Sequence, residues 1–307
     1  MRVLAHIHTH NDADVIAQVL DAVQRQTRQA EDIHVVDNVS TDGTLDRVRH
    51  DGVTVIRHPD YRGVSGALRT DFTYALEHGF DWVWVLDADS VPEPDALEHL
   101  LAFFERLSPQ DQEQVCFLAC QAVDPNGEIK DRPVIFTEMR IQIATPDAEG
   151  GYSRCDSTLW TGSLYRMAAV EKIGLPSADY VLDMGEIEYG YRAWRLGFTS
   201  YLVHCSILHM DVGRDPGVAP KTRRFGPLKL RLYETSPIRC YYRARNIIYF
   251  AMYQCRPRRL RWVVRSIMRS FAFTTTFAVR PVSNSRQLGA CLRGIWDGLT
   301  MHMERRY

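Results

Sequence analysis

Residues 33–56 read IHVVDNVSTDGTLDRVRHDGVTVI, and this run sets the fold class. Ile33–Val36 is short, apolar and rich in β-branched residues, so it reads as a buried strand that stops at Asp37. A polar turn follows, then a helix around Thr44–His50 and a second strand at Val53–Ile56. Strand, helix, strand in this order is the unit that places two strands parallel, joined by a helical crossover.

The alternation extends in both directions. Upstream, residues 3–7 read as a strand, and Asn11 or Asp12 is expected to cap a helix whose apolar face is Val15, Ile16, Val19, Leu20 and Val23. Downstream come a helix through Val64, Leu68, Phe72, Ala75 and Leu76 and the strand Trp82–Leu86. These elements predict an α/β fold with a Rossmann-like, mostly parallel sheet flanked by helices. Past Pro94 a helix (Ala96 to Phe104) and the strand Val115–Ala119 follow, and then the order becomes irregular. Helices are expected at Arg166–Ile173, stopped by Gly174, and at Glu186–Leu196, closed by Gly197, before a strand Thr199–Leu208 that ends at His209. Ligands of such sheets bind beyond the carboxyl ends of the strands. That rule nominates His8–Asn11, Asp37–Asp42 and Asp87–Ser90.

The chain has 307 residues, 45% of them hydrophobic, which suffices for one large domain or two modest ones. It holds no run of 18 uncharged apolar residues, and Met1–Asn11 lacks the long apolar core of a signal peptide, so a cytoplasmic protein is expected. The seven cysteines are odd in number and form no C-x-x-C pair, a pattern of buried free thiols. Net charge is only −1, but the signs are separated: residues 221–307 carry 19 Lys and Arg against 3 Asp and Glu, whereas the first 220 carry 18 against 35. Such asymmetry implies an anionic partner for the tail. The boundary is placed near residue 220, giving a body over 1–220 and a basic tail over 221–307.

Within that tail, residues 257–271 put Leu260, Val263, Val264, Ile267 and Phe271 at helical spacing, with Arg258, Arg261, Arg265 and Arg269 on another face. A second apolar stripe, Leu288, Cys291, Leu292, Ile295 and Leu299, follows the Pro281–Ser285 break. The tail is therefore expected to form C-terminal amphipathic helices. They either pack on the body with solvated arginines or dock on an anionic membrane surface, and the excess of arginine favours docking. No segment reads as a nucleic-acid module.

Asp87-Ala88-Asp89 follows the strand Trp82–Leu86, and residues i and i+2 of an extended chain project to one side. Two converging carboxylates repel each other unless a divalent cation sits between them, and such a cation also bridges to phosphate oxygens. A solvated acidic turn before Pro92 is the plainer alternative.

Four elements in order make a resemblance specific. Ile33–Thr44 resembles the second-strand motif of family 2 glycosyltransferases, an apolar strand followed by D-[DN]-x-S-x-D-G-T. Gly63–Arg69 is similar to the third element, Leu86–Asp89 to the fourth, and Asp183–Arg192 to the fifth, in the D-x-x-[DE]-x-E-x-x-x-R form of rhamnosyltransferases and galactofuranosyltransferases. Together they cover about residues 3–213. The resemblance implies a GT-A fold with a nucleotide-sugar half near 1–120 and an acceptor half near 121–220. It implies that His8, His10, Asp37, Asn38, Arg69, Asp87 and Ala88 hold the donor, with His8, His10 and Asn38 at the base and Arg69 near the ribose or diphosphate. It further implies a manganese or magnesium ion on Asp87, Asp89 and His209, and an acceptor side formed by Trp160, Thr161, Gly162, Glu188 and Arg192. Trp160 offers a face for a sugar ring, though a core role suits it equally.

Glu186 is the expected general base, taking the proton from the acceptor hydroxyl. Glu188 points about 200° away on a helix and stands four residues before Arg192, the orientation of a helical ion pair. Asp183 is the fallback base. The resemblance thus implies an inverting, metal-dependent transferase acting in cell-surface polysaccharide synthesis at the inner face of the cell membrane. The expected donor is dTDP-rhamnose first and UDP-galactofuranose second, and the acceptor a glycan or lipid-linked glycan. A nucleotidyltransferase would share the alternation but opens with a glycine-rich basic loop, and His8–Asp12 holds neither glycine nor arginine. A non-catalytic membrane scaffold that binds nucleotide sugar is a third reading.

Overall fold

The computed structural model describes residues 1–48, 52–130, 133–137, 141–145, 150–210, 221–225, 228–232, 236–254 and 285–302. The chain forms two compact units. The first comprises Met1–Thr137, Ile141–Ala178 and Glu186–Asp215, and the second Glu138–Arg140, Asp179–Gly185 and Pro216–Tyr307.

The first unit is built on β1 (Val3–Thr9), α1 (Ile16–Gln24), β2 (Asp32–Asp37), α2 (Thr44–Arg47), β3 (Val53–Arg57), α3 (Gly63–Glu77), β4 (Trp82–Asp87), β5 (Val91–Pro92), α4 (Ala96–Arg106), α5 (Pro109–Gln114) and β6 (Val115–Val123). It continues through β7 (Val134–Phe136), β8 (Ile141–Ile143), β9 (Tyr152–Cys155), β10 (Ser163–Arg166), α6 (Met167–Ile173), α7 (Gly185–Arg195) and β11 (Thr199–His209). The main sheet runs β3-β2-β1-β4-β10-β6-β11-β5, with β9 also on β11. β1 pairs parallel with β2 and β4, β2 with β3, and β6 with β11; β10 enters antiparallel between β4 and β6. This mostly parallel sheet between helices is the expected GT-A arrangement.

Alternation along β1 splits the core in two. Val3, Ala5 and Ile7 pack with Ile16, Val19, Leu20 and Val23 of α1, while Leu4 faces Leu68, Phe72 and Ala75 of α3. Each such aliphatic or Phe side chain contributes about 1.5–3 kcal/mol through burial. His6 and His8 stand on the same register as Leu4, so β1 also carries a polar row to its carboxyl end.

Several local expectations change. Neither Asn11 nor Asp12 caps α1; the Asp12 carboxylate accepts from Thr9 Oγ1 and the His10 amide, both at 2.9 Å, and locks the end of β1. α2 is a single turn, started by Asp42 accepting from the Thr44 amide at 3.0 Å. Cys116, Cys120, Cys155, Cys240 and Cys291 are buried thiols as expected, but Cys205 is exposed.

In the second unit, β12 (Lys221–Phe225) and β13 (Leu228–Leu232) form a hairpin where only helix was expected. α8 (Pro237–Tyr249) runs on into a π turn at Phe250–Gln254, and α9 (Ser285–Leu299) coincides with the second apolar stripe. α8 and α9 meet backbone to backbone: a Cβ on Gly294 would stand 2.3 Å from the Tyr241 carbonyl oxygen, and one on Gly298 2.6 Å from that of Arg245. α8 also grips the Asp179–Gly185 loop. Asn246 Nδ2 donates to the Leu182 and Asp183 carbonyls, the fully buried Arg245 donates to the Asp179 carbonyl, and Asp183 and Met184 hold positive φ of 56° and 71°. The basic stripe at 257–271 lies outside the described residues. Among the described residues no helix is long and apolar enough to cross a membrane.

Candidate active site

The carboxyl ends of β1 and β4 lie side by side, with His8 in register with Asp87. His8 Nε2 is 3.1 Å from Asp87 Oδ1, and the Asp87 amide donates to Thr161 Oγ1 at 3.0 Å. Ala88 is buried in the core, so its side chain takes no part in a pocket; it anchors a turn whose two flanking carboxylates are only half-buried. Burial lowers the His8 pKa, against the pull of the Asp87 charge. His8 is therefore neutral at neutral pH, and Nε2 carries the proton that faces the carboxylate.

At the end of β2, Asp37 is fully buried; its carboxylate accepts from the Ser40 amide at 3.0 Å and pairs with Arg57 at 3.4 Å. Asn38 Oδ1 accepts from the Arg62 amide at 3.2 Å and stands 3.2 Å from His58 Nδ1, while Nδ2 donates to Gly63 O at 3.3 Å. Both side chains thus shape the loop. The exposed contact surface is His10, whose Nδ1 donates to the Asn38 carbonyl at 2.6 Å and whose ring meets Tyr61 edge-on, centroids 4.9 Å apart. Arg69 Nη1 donates to the Pro176 carbonyl at 2.8 Å, so this guanidinium braces the chain before Asp179.

Asp87 and Asp89 do not have His209 beside them as a third ligand. His209 pairs in register with Val91, and its Nε2 lies 2.6 Å from Glu93 Oε1. Among the described residues no cluster of three or more His, Cys, Asp or Glu is gathered tightly enough to hold a metal. The expected set of Asp87, Asp89 and His209 is not gathered among the described residues, where Glu93 engages the His209 imidazole. Two hard carboxylate donors are of the chemical type that would suit a magnesium or manganese ion.

The acceptor-side expectations also shift. Trp160 is 7% exposed and packs on Tyr165 and Tyr189, centroids 5.4 and 5.6 Å away, so it belongs to the core. Gly162 has φ of 77°, and a Cβ there would stand 2.9 Å from Leu208 Cδ2. On α7, Glu188 is buried against Arg192, whose Nη1 and Nη2 donate to the Ile173 and Leu175 carbonyls at 2.9 and 3.0 Å. Glu186, half-buried in the first turn, has its carbonyl held by Ser157 Oγ at 2.9 Å. Asp183 belongs to the second unit, where Arg239 and Arg243 approach its two oxygens at 3.3 and 3.2 Å. The fallback base is thus engaged by two guanidinium groups.

The profile of Glycosyl transferase family 2 matches residues 5–173, more than half of the chain. The chain belongs to glycosyl transferase family 2. It is 26% identical over 244 residues to galactofuranosyltransferase GlfT1 of Mycobacterium tuberculosis (strain ATCC 25618 / H37Rv), covering 70% of this chain and 77% of that protein. It is 35% identical over 200 residues to the undecaprenyl-phosphate mannosyltransferase of Micrococcus luteus, covering 64% and 67%. The crystal structure of GalNAc-T7 with UDP, GalNAc and Mn2+ superposes with a TM-score of 0.59 at 13% identity, over 98% of this chain and 56% of that one.

This family 2 transferase also holds residues that the sequence did not single out. Asp71 of α3 is fully buried between His6 and His34, with Oδ2 2.6 Å from His6 Nδ1 and Oδ1 2.8 Å from His34 Nδ1. The only signal for it was His6 and His8 alternating on one face of a strand otherwise apolar. Tyr61 and Glu93 gave no signal, since single polar or aromatic residues in turns are common.

Proposed function

We propose that this family 2 glycosyltransferase transfers a sugar from a nucleotide diphosphate donor to a hydroxyl of a glycan or lipid-linked glycan, with inversion at the anomeric carbon. The observation that carries this reading is the junction of His8, Asp87 and Thr161, with Asp89 two residues on, at the carboxyl ends of adjacent strands in a family 2 fold. Asp87 and Asp89 would hold a divalent cation, which when bound would supply positive charge against the departing diphosphate. His10 and Tyr61 offer the aromatic wall for the base. Glu186 accepts the hydroxyl proton as the acceptor oxygen bonds to the anomeric carbon and the bond from that carbon to the diphosphate oxygen breaks.

UDP-galactofuranose is the favoured donor, supported by the likeness to GlfT1; dTDP-rhamnose is the second, supported by the form of residues 183–192. Likeness to an undecaprenyl-phosphate mannosyltransferase supports an acceptor that carries a polyprenyl phosphate or pyrophosphate. The basic tail and the exposed Leu292 and Trp296 of α9 support docking on an anionic membrane at the cytoplasmic face.

The test is incubation of the purified chain with each donor, manganese and a synthetic polyprenyl-diphosphate glycan, followed by mass analysis. A product heavier by one sugar, absent with Asp89→Ala, is expected. Donor hydrolysis without transfer, or product formation unaffected by Asp89→Ala, contradicts the assignment.

A further inference from the structure

Asp183 and Met184 stand immediately before α7 with φ of 56° and 71°, a left-handed conformation in two consecutive residues that both carry a Cβ. Such residues rarely adopt it, and the strain persists only where the surroundings over-determine the backbone. α8 supplies that constraint. Its Arg239, Arg243 and Asn246 are spaced i, i+4 and i+7, which places them on one stripe of the helix. Asn246 is fully buried and donates from Nδ2 to the Leu182 and Asp183 carbonyls at 2.7 and 2.9 Å. Arg239 Nε and Arg243 Nε approach the two Asp183 carboxylate oxygens at 3.3 and 3.2 Å. Arg245, also fully buried, donates to the Asp179 carbonyl at the head of the same loop, and loop and helix belong to one compact unit. If the turn relaxed, the buried Asn246 amide would lose both acceptors, and the cost of an unsatisfied buried donor opposes that relaxation.

We infer that Asn246 is a positioning residue for Glu186, acting by holding the turn through which the chain enters α7. The inference rests on reading Glu186 as the general base and deepens that reading. Glu186 lies in the first turn of α7, two residues after Met184, and its carbonyl is held by Ser157 Oγ at 2.9 Å. With that carbonyl fixed, the direction of the first turn, and with it the Glu186 carboxylate, follows from the backbone angles at Asp183 and Met184. Release by Asn246 lets both residues fall back to negative φ, which swings the start of the helix. A general base must stand within hydrogen-bond reach of the proton it takes, and a misplacement of about 1 Å costs on the order of 100-fold in rate.

The experiment compares the full chain with Asn246→Ala, Met184→Gly and the double variant. Glycine takes a positive φ without strain, so Met184→Gly lets the turn persist without its tether. Hydrogen–deuterium exchange over residues 182–188 reads the turn, and transfer from UDP-galactofuranose to a synthetic polyprenyl-diphosphate glycan gives kcat and the donor KM. Asn246→Ala is expected to speed exchange and to lower kcat by about 10- to 100-fold with the donor KM unchanged. Met184→Gly alone leaves both close to the parent, and the double variant recovers about tenfold in kcat. A purely structural role predicts a second loss on top of the first, because glycine adds backbone freedom. Arg239→Gln with Arg243→Gln, on the partly exposed part of the same stripe, releases the turn without emptying a buried position and is expected to lower kcat in the same direction by less. Unchanged exchange in Asn246→Ala and in the arginine pair, faster exchange with kcat intact, or no recovery in the double variant overturns the inference. If the parent transfers nothing, or Glu186→Gln keeps its activity, the reading of the base fails instead, while exchange over 182–188 still decides whether Asn246 holds the turn.

Discussion

Glu188 and Arg192, one turn apart on α7, are joined at two points, Nε to Oε1 at 2.7 Å and Nη2 to Oε2 at 3.2 Å. The same guanidinium satisfies two carbonyls at the end of α6, so the pair fastens α7 to its neighbour. Removing one partner of a buried pair costs about 3–5 kcal/mol. Glu188→Gln is therefore expected to lower the unfolding free energy by about 3 kcal/mol, while Glu186→Gln leaves stability within about 0.5 kcal/mol and lowers kcat by at least 100-fold. Denaturant melts and turnover assays on both variants check the assignment; full activity in Glu186→Gln refutes it.

Gly190 sits where a Cβ would come within 2.3 Å of the Asp156 carbonyl oxygen and 2.7 Å of Ser157 Cβ. The nearer neighbour is a backbone carbonyl, and it cannot yield cheaply. Gly190→Ala is expected to destabilise by about 1–3 kcal/mol and to reduce kcat by shifting Glu186, which Ser157 anchors. An unfolding midpoint equal to the parent's would show that α7 approaches the chain less closely.

Burial alone would raise the Asp71 carboxyl, but the hydrogen bonds from His34 and His6 and the attraction of their rings outweigh it and hold its pKa below the ordinary carboxylate value. A depressed folded-state pKa contributes stability above the unfolded-state value of about 3.9, and that contribution is lost as pH falls further. Asp71→Asn is expected to be less stable than the parent at pH 7, with the gap narrowing below about pH 4. Urea titrations across pH 3–7 read the gap; one that stays constant refutes the ionised Asp71.

Sheet and first helices were legible because their signals are local: period-two and period-3.6 apolar patterns with polar residues at strand ends. Asp87 and Asp89 could be nominated for the same reason, standing two positions apart at the end of one strand. The side of Trp160, the engagement of His209 by Glu93 and the Asp71 network depend on neighbours 20 to 100 or more positions away, which a linear pattern does not encode. Asp12 misled because a cap and a strand-end lock use the same residue type in the same place. The hairpin β12–β13 escaped because Lys, Arg and Leu alternate there with little β-branched content.

Leu292 and Trp296 of α9 are 48% and 67% exposed, one turn apart, with Arg286 and Arg293 exposed on the same helix. Aromatic and cationic side chains in this arrangement suit the interface of an anionic bilayer. Trp296→Ala is expected to weaken co-sedimentation with phosphatidylglycerol vesicles at least several-fold without changing the melting temperature. Equal binding would place membrane contact elsewhere.

The central claim is that Asp87 and Asp89 bind a metal-diphosphate. It is tested most directly by thermal shift with UDP, dTDP and GDP, each with and without manganese, because a ligand of the folded state alone raises its stability. The account predicts a rise of several degrees with UDP or dTDP that requires manganese and disappears in Asp89→Ala. A rise that persists without the metal, or in Asp89→Ala, would contradict it.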